Sequence, residues 1–200
     1  NDSLGSYTAL QQNIITFFMI VSGINYSFYF LIISKKLKDA FHLEEVRCYL
    51  GIIAAAGILI TFNIYHLYDS IGEALRHAYF QVGSIITTTG YSSTDFNLWP
   101  EFSKTIIIIL MIIGACAGST AGGFKISRMM ILIKSIGTEL SMMIHPREIK
   151  KIRMDGHVVK PEVLRTAHVY LVLYWAIFLI SILLISVDNF DFTTNFTAVA

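Results

Sequence analysis

Long stretches without Asp, Glu, Lys or Arg dominate this chain, among them 14–33, 49–68 and 167–187. A bilayer core of about 30 Å takes about twenty predominantly apolar residues to cross as a helix, so each stretch predicts a membrane span. The hydrophobic share of 54% and charged share of 14% agree, and they exclude an ordinary soluble domain. The net charge of +1 carries no information about partners, because the charges are segregated along the chain rather than absent.

That segregation sets the topology. Lys35, Lys36 and Lys38 follow the first stretch and mark its end as cytoplasmic. The second stretch returns outward after Arg47. In this arrangement every Lys and Arg except Arg76 and Lys104 lies on the cytoplasmic side. Ser22, Gly23, Asn25 and Ser27 in the first span favour close helix packing in lipid. Asn25-Tyr26-Ser27 also fits a glycosylation sequon, an accidental match inside a membrane helix. Asn63 and His66, near the outer end of the second span, can reach the segment that follows, with packing the simpler role.

Between the second stretch and the next apolar region lies RHAYFQVGSIITTTGY, residues 76–91. Its first part, 73–86, reads as a helix too short to cross the bilayer. It runs into Thr87-Thr88-Thr89-Gly90-Tyr91, where β-branched threonines and a glycine make a poor helix. A short helix followed by an extended Thr/Gly segment suggests a re-entrant loop. Irregular backbone at membrane depth is tolerated where it is buried in protein or lines a watery cavity. The bare carbonyls, together with the negative end of the short helix, suit a desolvated monovalent cation. On the threonine triplet alone, a polar loop outside the membrane is an equal reading.

Residues 92–101 form a polar turn in which Trp99 suits the membrane interface and Pro100 a helix start. Asp95 and Glu101 there either raise the local cation concentration or simply solvate the loop. The apolar region 105–136 is longer than one span requires. It is interrupted at 114–123 by Gly114, Gly118, Gly122 and Gly123 with Ser119 and Thr120. Each interior glycine costs a helix roughly 1 kcal/mol relative to alanine, so the helix is expected to break there. Broken helices present backbone to ions in transporters; the Gly114/Gly118 spacing equally suits a helix-packing face. Gly118 and Gly123 imitate a phosphate loop, but Phe124 separates the glycine from Lys125 and no strand precedes it.

Residues 138–160 are hydrophilic and basic, with turns expected at His145-Pro146-Arg147 and Asp155-Gly156. Lys150, Lys151, Arg153 and Lys160 suit a cytoplasmic linker that meets anionic lipid or a partner, or that simply obeys the positive-inside rule. Cys48 and Cys116 form neither a disulfide framework nor a metal motif. Asp69 and Asp188 each close a span before a further apolar segment, an internal repeat. The chain starts without a methionine or signal peptide and stops in the apolar run FTAVA, so it reads as a piece of a longer protein.

The segments TTTGYSS, 87–93, and GACAGSTAGGFK, 114–125, resemble the Trk/Ktr/HKT potassium-transporter family, in particular its pore-forming subunits. The resemblance covers essentially the whole chain, and the second segment is the more specific. It implies an all-α integral membrane fold of helix–pore-loop–helix, potassium-channel-like repeats. Four units would share one polypeptide with pseudo-fourfold symmetry, and two polypeptides would pair as a homodimer in the bacterial cytoplasmic membrane. A cytosolic nucleotide-binding regulatory subunit is implied, meeting the basic segment 138–165; no nucleic acid is. Residues 1–38 would then end a preceding repeat. Residues 39–137 form a complete one, with span 49–68, pore helix 73–86, filter 87–91 and broken helix 105–136. The linker 138–165 follows, and 166–200 begin the next repeat.

By the same resemblance, Thr88, Thr89 and Gly90 offer backbone oxygens to potassium, with the ion at Thr88 and Thr89 and with Thr87 and Tyr91 flanking. Ser92 stands where potassium channels carry a second filter glycine, which predicts weaker discrimination against sodium. Gly114, Gly118, Ser119, Thr120, Gly122 and Gly123 would form an intramembrane loop that obstructs and gates the pore; Ala121 departs mildly from the family's glycine run. Potassium is substrate, with no tightly bound cofactor expected, and symport against channel behaviour is left open. A secondary transporter using 114–123 as its substrate site is the alternative reading. A membrane enzyme would need paired acids or a nucleophile with its base inside the bilayer, and no such group stands out, so the chain reads as a non-enzyme.

Overall fold

A computed structural model of the chain describes residues 3–145 and 151–200. These form helices and one short hairpin, divided into two compact units, Asn1–Ile126 and Ser127–Ala200. The turn expected at His145-Pro146-Arg147, and Lys150 beyond it, lie outside the described residues.

The first unit is built around α5 (Ile71–Ile86), whose N-terminus is capped by the Ser70 hydroxyl accepting the Glu73 N–H. Its 16 residues give about 24 Å of helix, short of a bilayer core of about 30 Å. Helices α1 (Ala9–Ser22), α4 (Glu44–Ile64) and α6 (Glu101–Ile113) pack around it. Phe80, Gln81, Val82, Gly83 and Ser84 are consecutive and all buried, so its second half is enclosed on every side. Helix α4 differs: Ile53, Ile60 and Ile64 are buried while Ile58, Leu59 and Phe62 are exposed. With its closing 3-10 turn it runs Glu44–Leu67, long and apolar enough to cross a membrane.

The first span departs from the sequence reading. Instead of one helix over 14–33, α1 ends at Ser22 and α2 (Tyr26–Ile33) leaves it at a bend of 92°. Asn25, the sequon residue, caps α2, its side chain accepting the Ser27 N–H at 2.8 Å. The break would orphan the last carbonyls of α1, and each finds a donor. Ser22 Oγ donates to Met19 O at 2.7 Å, Tyr49 Oη to Ile20 O at 2.9 Å, and Tyr29 Oη to Val21 O. Thr120 Oγ1 donates to Ser22 O at 3.3 Å and Cys116 N–H to Gly23 O at 3.1 Å. Polar residues read as packing groups thus satisfy a kink.

The second unit carries α7 (Ile126–Ile144) from Ser127 on, the hairpin β1 (Arg153–Met154) and β2 (His157–Val158), α8 (Pro161–Ile185) and α9 (Phe192–Val199). The strands pair antiparallel, Arg153 with Val158 and Met154 with His157. Asp155 and Gly156 turn between them with φ of 51° and 78°, both left-handed as a tight hairpin turn demands. Helix α7 runs past residue 136, where the sequence reading stopped it, because residues 137–144 contain good helix formers and no proline. Helix α8 begins at Pro161, where a missing N–H is harmless, and with its closing 3-10 turn to Asp188 it is long and apolar enough to cross a membrane. Val172, Ile177, Ile180 and Leu184 around it are exposed.

Candidate functional site

The C-terminus of α5 makes the first half of the site. Thr88 N–H donates to Ile85 O at 3.0 Å and Thr89 N–H to Ser84 O at 2.8 Å. With Thr88 left-handed at φ 54°, this is a Schellman cap, a place where glycine is usual. The segment is therefore a turn at Thr87 and Thr88, not a straight strand from Thr87, because the cap satisfies the helix's last carbonyls. Thr87 Oγ1 donates to Gly83 O at 2.7 Å and lies 2.7 Å from Thr89 Oγ1. Thr87 is buried, whereas Thr88, Thr89, Gly90 and Tyr91 are exposed. Among the described residues, the carbonyl oxygens of Thr88, Thr89 and Gly90 accept no hydrogen bond. Three consecutive bare carbonyls at the negative end of a short helix offer dipoles to a cation.

Side chains on either side of the motif hold this turn from behind. Ser84 Oγ donates to Tyr91 O. His77 Nδ1 lies 2.9 Å from Ser93 Oγ, both groups buried. The His77 ring stacks on Tyr68 at 5.0 Å, and Trp99 Nε1 donates to the Tyr68 hydroxyl at 3.0 Å. Ser92 N–H donates to Ser3 Oγ at 3.1 Å and Leu4 N–H to Ser92 O at 2.9 Å. The signal available was spacing: Tyr68, His77, Ser84, Ser93 and Trp99 flank the motif on both sides. Asn63 does not bond this turn; it accepts from Ser103 of α6 at 2.7 Å. Nor are the outer acids bare: Asp95 caps the turn at Asn97 N–H, and Glu101 pairs with Lys104 at 2.5 Å.

The second half is the excursion 114–125 between α6 and α7. Phe124 N–H donates to Ile112 O at 3.2 Å and Lys125 N–H to Ile113 O at 2.9 Å, so the chain returns to the place it left. The neck is two left-handed glycines, Gly114 at φ 69° and Gly123 at φ 82°. A Cβ on Gly123 would stand 2.9 Å from Gly114 Cα, and one on Gly114 2.6 Å from Gly122 O. Beyond the neck, Ser119 Oγ donates inside the loop to Cys116 O at 2.6 Å, and the Lys125 ammonium donates to Ala121 O. Tyr26 N–H donates to Gly118 O at 3.1 Å. The two halves meet where Gly122 N–H donates to Thr88 Oγ1 at 2.9 Å. Glu45, buried in the first turn of α4, accepts the Ala117 N–H and was not foreseen.

This is an all-α membrane fold with a re-entrant pore-loop helix and a broken helix, and relatives place it. A family model described as TrkH, cation transport protein, matches residues 1–200. The chain belongs to the TrkH family. It is 30% identical over 191 residues to the Trk system potassium uptake protein TrkH of Salmonella typhimurium, covering 94% of this chain and 40% of that protein. It is 30% identical over 186 residues to TrkG of Escherichia coli, covering 92% of this chain and 38% of TrkG. The crystal structure of the potassium transporter TrkH from Vibrio parahaemolyticus superposes with a TM-score of 0.88 at 27% identity, covering 98% of this chain and 43% of that one. The chain thus spans about 40% of the length of the relatives it matches.

Proposed function

We propose that this chain supplies one pore loop and one gate to a potassium-uptake pathway. The observation that carries the reading is the run of bare carbonyls at Thr88, Thr89 and Gly90, with the glycine loop one hydrogen bond away. Unsatisfied backbone at membrane depth is costly unless it lines a cavity, and a potassium ion stripped of water repays such oxygens. Thr87 and Tyr91 flank them, Thr87 as a buried strut. The names of the relatives, potassium uptake proteins, supply the ion.

One loop cannot surround an ion. The filter needs several such loops about an axis, so residues 39–137 act as one repeat, flanked by the end of another in 1–38 and the start of a third in 166–200. The linker 138–165 faces the cytoplasm in this account and is where a nucleotide-binding regulator would dock; the full-length protein would be a homodimer of the bacterial cytoplasmic membrane. Gly114, Gly118, Ser119, Thr120, Gly122 and Gly123 form the gate. The alternative, a substrate site in that loop, is less well supported. A loop that bound an anionic substrate would need free N–H groups. Within 114–123, the N–H groups of Gly114, Cys116, Ala117 and Gly122 are already donated within the protein, Gly122 to the threonine turn itself.

Uptake in cells lacking their own potassium uptake tests the reading. The full-length protein should restore growth at low potassium, and a variant shortened through 118–122 should raise the rate without altering ion preference. A shortened variant that loses potassium preference would instead put the ion site in the loop.

A further inference from the structure

We propose that Glu45 is the latch of the glycine loop: its carboxylate ties the loop backbone to the break between α1 and α2 and so sets the closed position. The inference rests on the gating role proposed above. Glu45 is only 6% exposed. Its Oε1 accepts the Ala117 N–H at 2.6 Å and its Oε2 accepts the Asn25 amide at 3.1 Å. Asn25 in turn caps α2 through the Ser27 N–H. One side chain therefore joins three elements far apart in sequence: the kink, the start of α4 and the loop.

The other ties between kink and loop, Cys116 N–H to Gly23 O, Tyr26 N–H to Gly118 O and Thr120 Oγ1 to Ser22 O, link neutral groups. The bonds to Glu45 are charge-assisted, roughly twice as strong. Packing alone does not account for the residue. A buried acid is expensive in a membrane protein unless its oxygens are partnered, and an apolar side chain would fill the space at less cost. Withdrawing the loop removes the Ala117 bond, the shorter of these two, which the open position therefore lacks. The closed position is favoured by that difference.

The test is potassium flux through the full-length protein in liposomes, read beside the potassium-to-sodium permeability ratio. Glu45→Ala should raise resting flux about tenfold, the ratio for a closed form weakened by about 1.4 kcal/mol, with the permeability ratio unchanged. Asn25→Ala should give a smaller rise and add little to Glu45→Ala. Glu45→Gln, which keeps an acceptor for Ala117, should fall between wild type and Glu45→Ala and carries the prediction if the alanine variant does not fold. Unchanged flux in the Glu45 and Asn25 variants, beside a raised flux when 118–122 are shortened, would leave the gate standing and overturn the latch. Unchanged flux in all of them would overturn both. Altered ion preference in Glu45→Ala would also overturn the latch, since a latch moves the gate and not the filter.

Discussion

The Thr88 hydroxyl oxygen accepts the Gly122 N–H at 2.9 Å, so the proposed ion site and the proposed gate share a hydrogen bond. Thr88 is also left-handed, at φ 54°. That conformation costs an L-residue roughly 1–2 kcal/mol, and a β-branched residue there is an outlier of the kind that gathers at functional sites.

Two substitutions separate strain from bonding at this position. Thr88→Gly removes both, with glycine's own entropy cost of roughly 0.5–1 kcal/mol on folding, so stability should stay within about 1 kcal/mol of wild type. Thr88→Val keeps the strain and loses the same exposed bond to the Gly122 N–H, so it should be less stable than wild type by about 0.5–1.5 kcal/mol. Both should raise resting flux. Thermal melting of the detergent-solubilised protein checks the order; Val as stable as Gly would remove strain from the account.

The neck of the loop predicts a ranking among glycines. Gly114→Ala and Gly123→Ala each add a left-handed penalty to a backbone contact at 2.6 or 2.9 Å, together roughly 2–5 kcal/mol. Gly122 has no left-handed backbone, and a Cβ there meets Thr88 at an ordinary 3.5 Å. Gly122→Ala should therefore fold normally. Equal losses of folded protein from all three variants would contradict a two-residue neck.

The kink makes a prediction about pairs. A Cβ on Gly23 would stand 2.2 Å from Tyr49 Oη and 2.9 Å from Thr87 Cγ2. Gly23→Ala should thus destabilise strongly and disturb the turn at Thr87 as well. Tyr49→Phe alone loses its bond to Ile20 O, about 1 kcal/mol. Combined with Gly23→Ala it should recover part of the loss by removing the nearest atom. Melting temperatures of the two single variants and the double variant measure that coupling; simple additivity would count against the contact.

What could be read in the sequence follows from the kind of signal each element gives. Uncharged runs of spanning length marked α4 and α8, and the short helix before Thr87 was visible because the threonines and Gly90 end it. The glycines at 114–123 pointed to a break, since each of the four costs a helix roughly 1 kcal/mol relative to alanine. The kink at Gly23 was hidden. Its cause is largely tertiary, a tyrosine from α4 and a loop about a hundred residues away, and Ser22, Gly23, Asn25 and Ser27 suit a helix-packing face as well as a break. Glu45 was hidden for a similar reason: an acid in the first turn of a helix is ordinary until a distant N–H arrives beside it. The left-handed Thr88 was beyond propensity altogether, because residue preferences put glycine at such a cap.

The central claim is that the carbonyl oxygens of Thr88, Thr89 and Gly90 receive the transported ion. Anomalous diffraction from crystals of the full-length protein grown in a rubidium salt tests it most directly, rubidium standing in for potassium. The account predicts an anomalous peak bounded by those oxygens, which weakens when Gly90, left-handed at φ 80°, is replaced in Gly90→Ser. A peak in the glycine loop with none at Thr88–Gly90, in protein that still transports potassium, would contradict it.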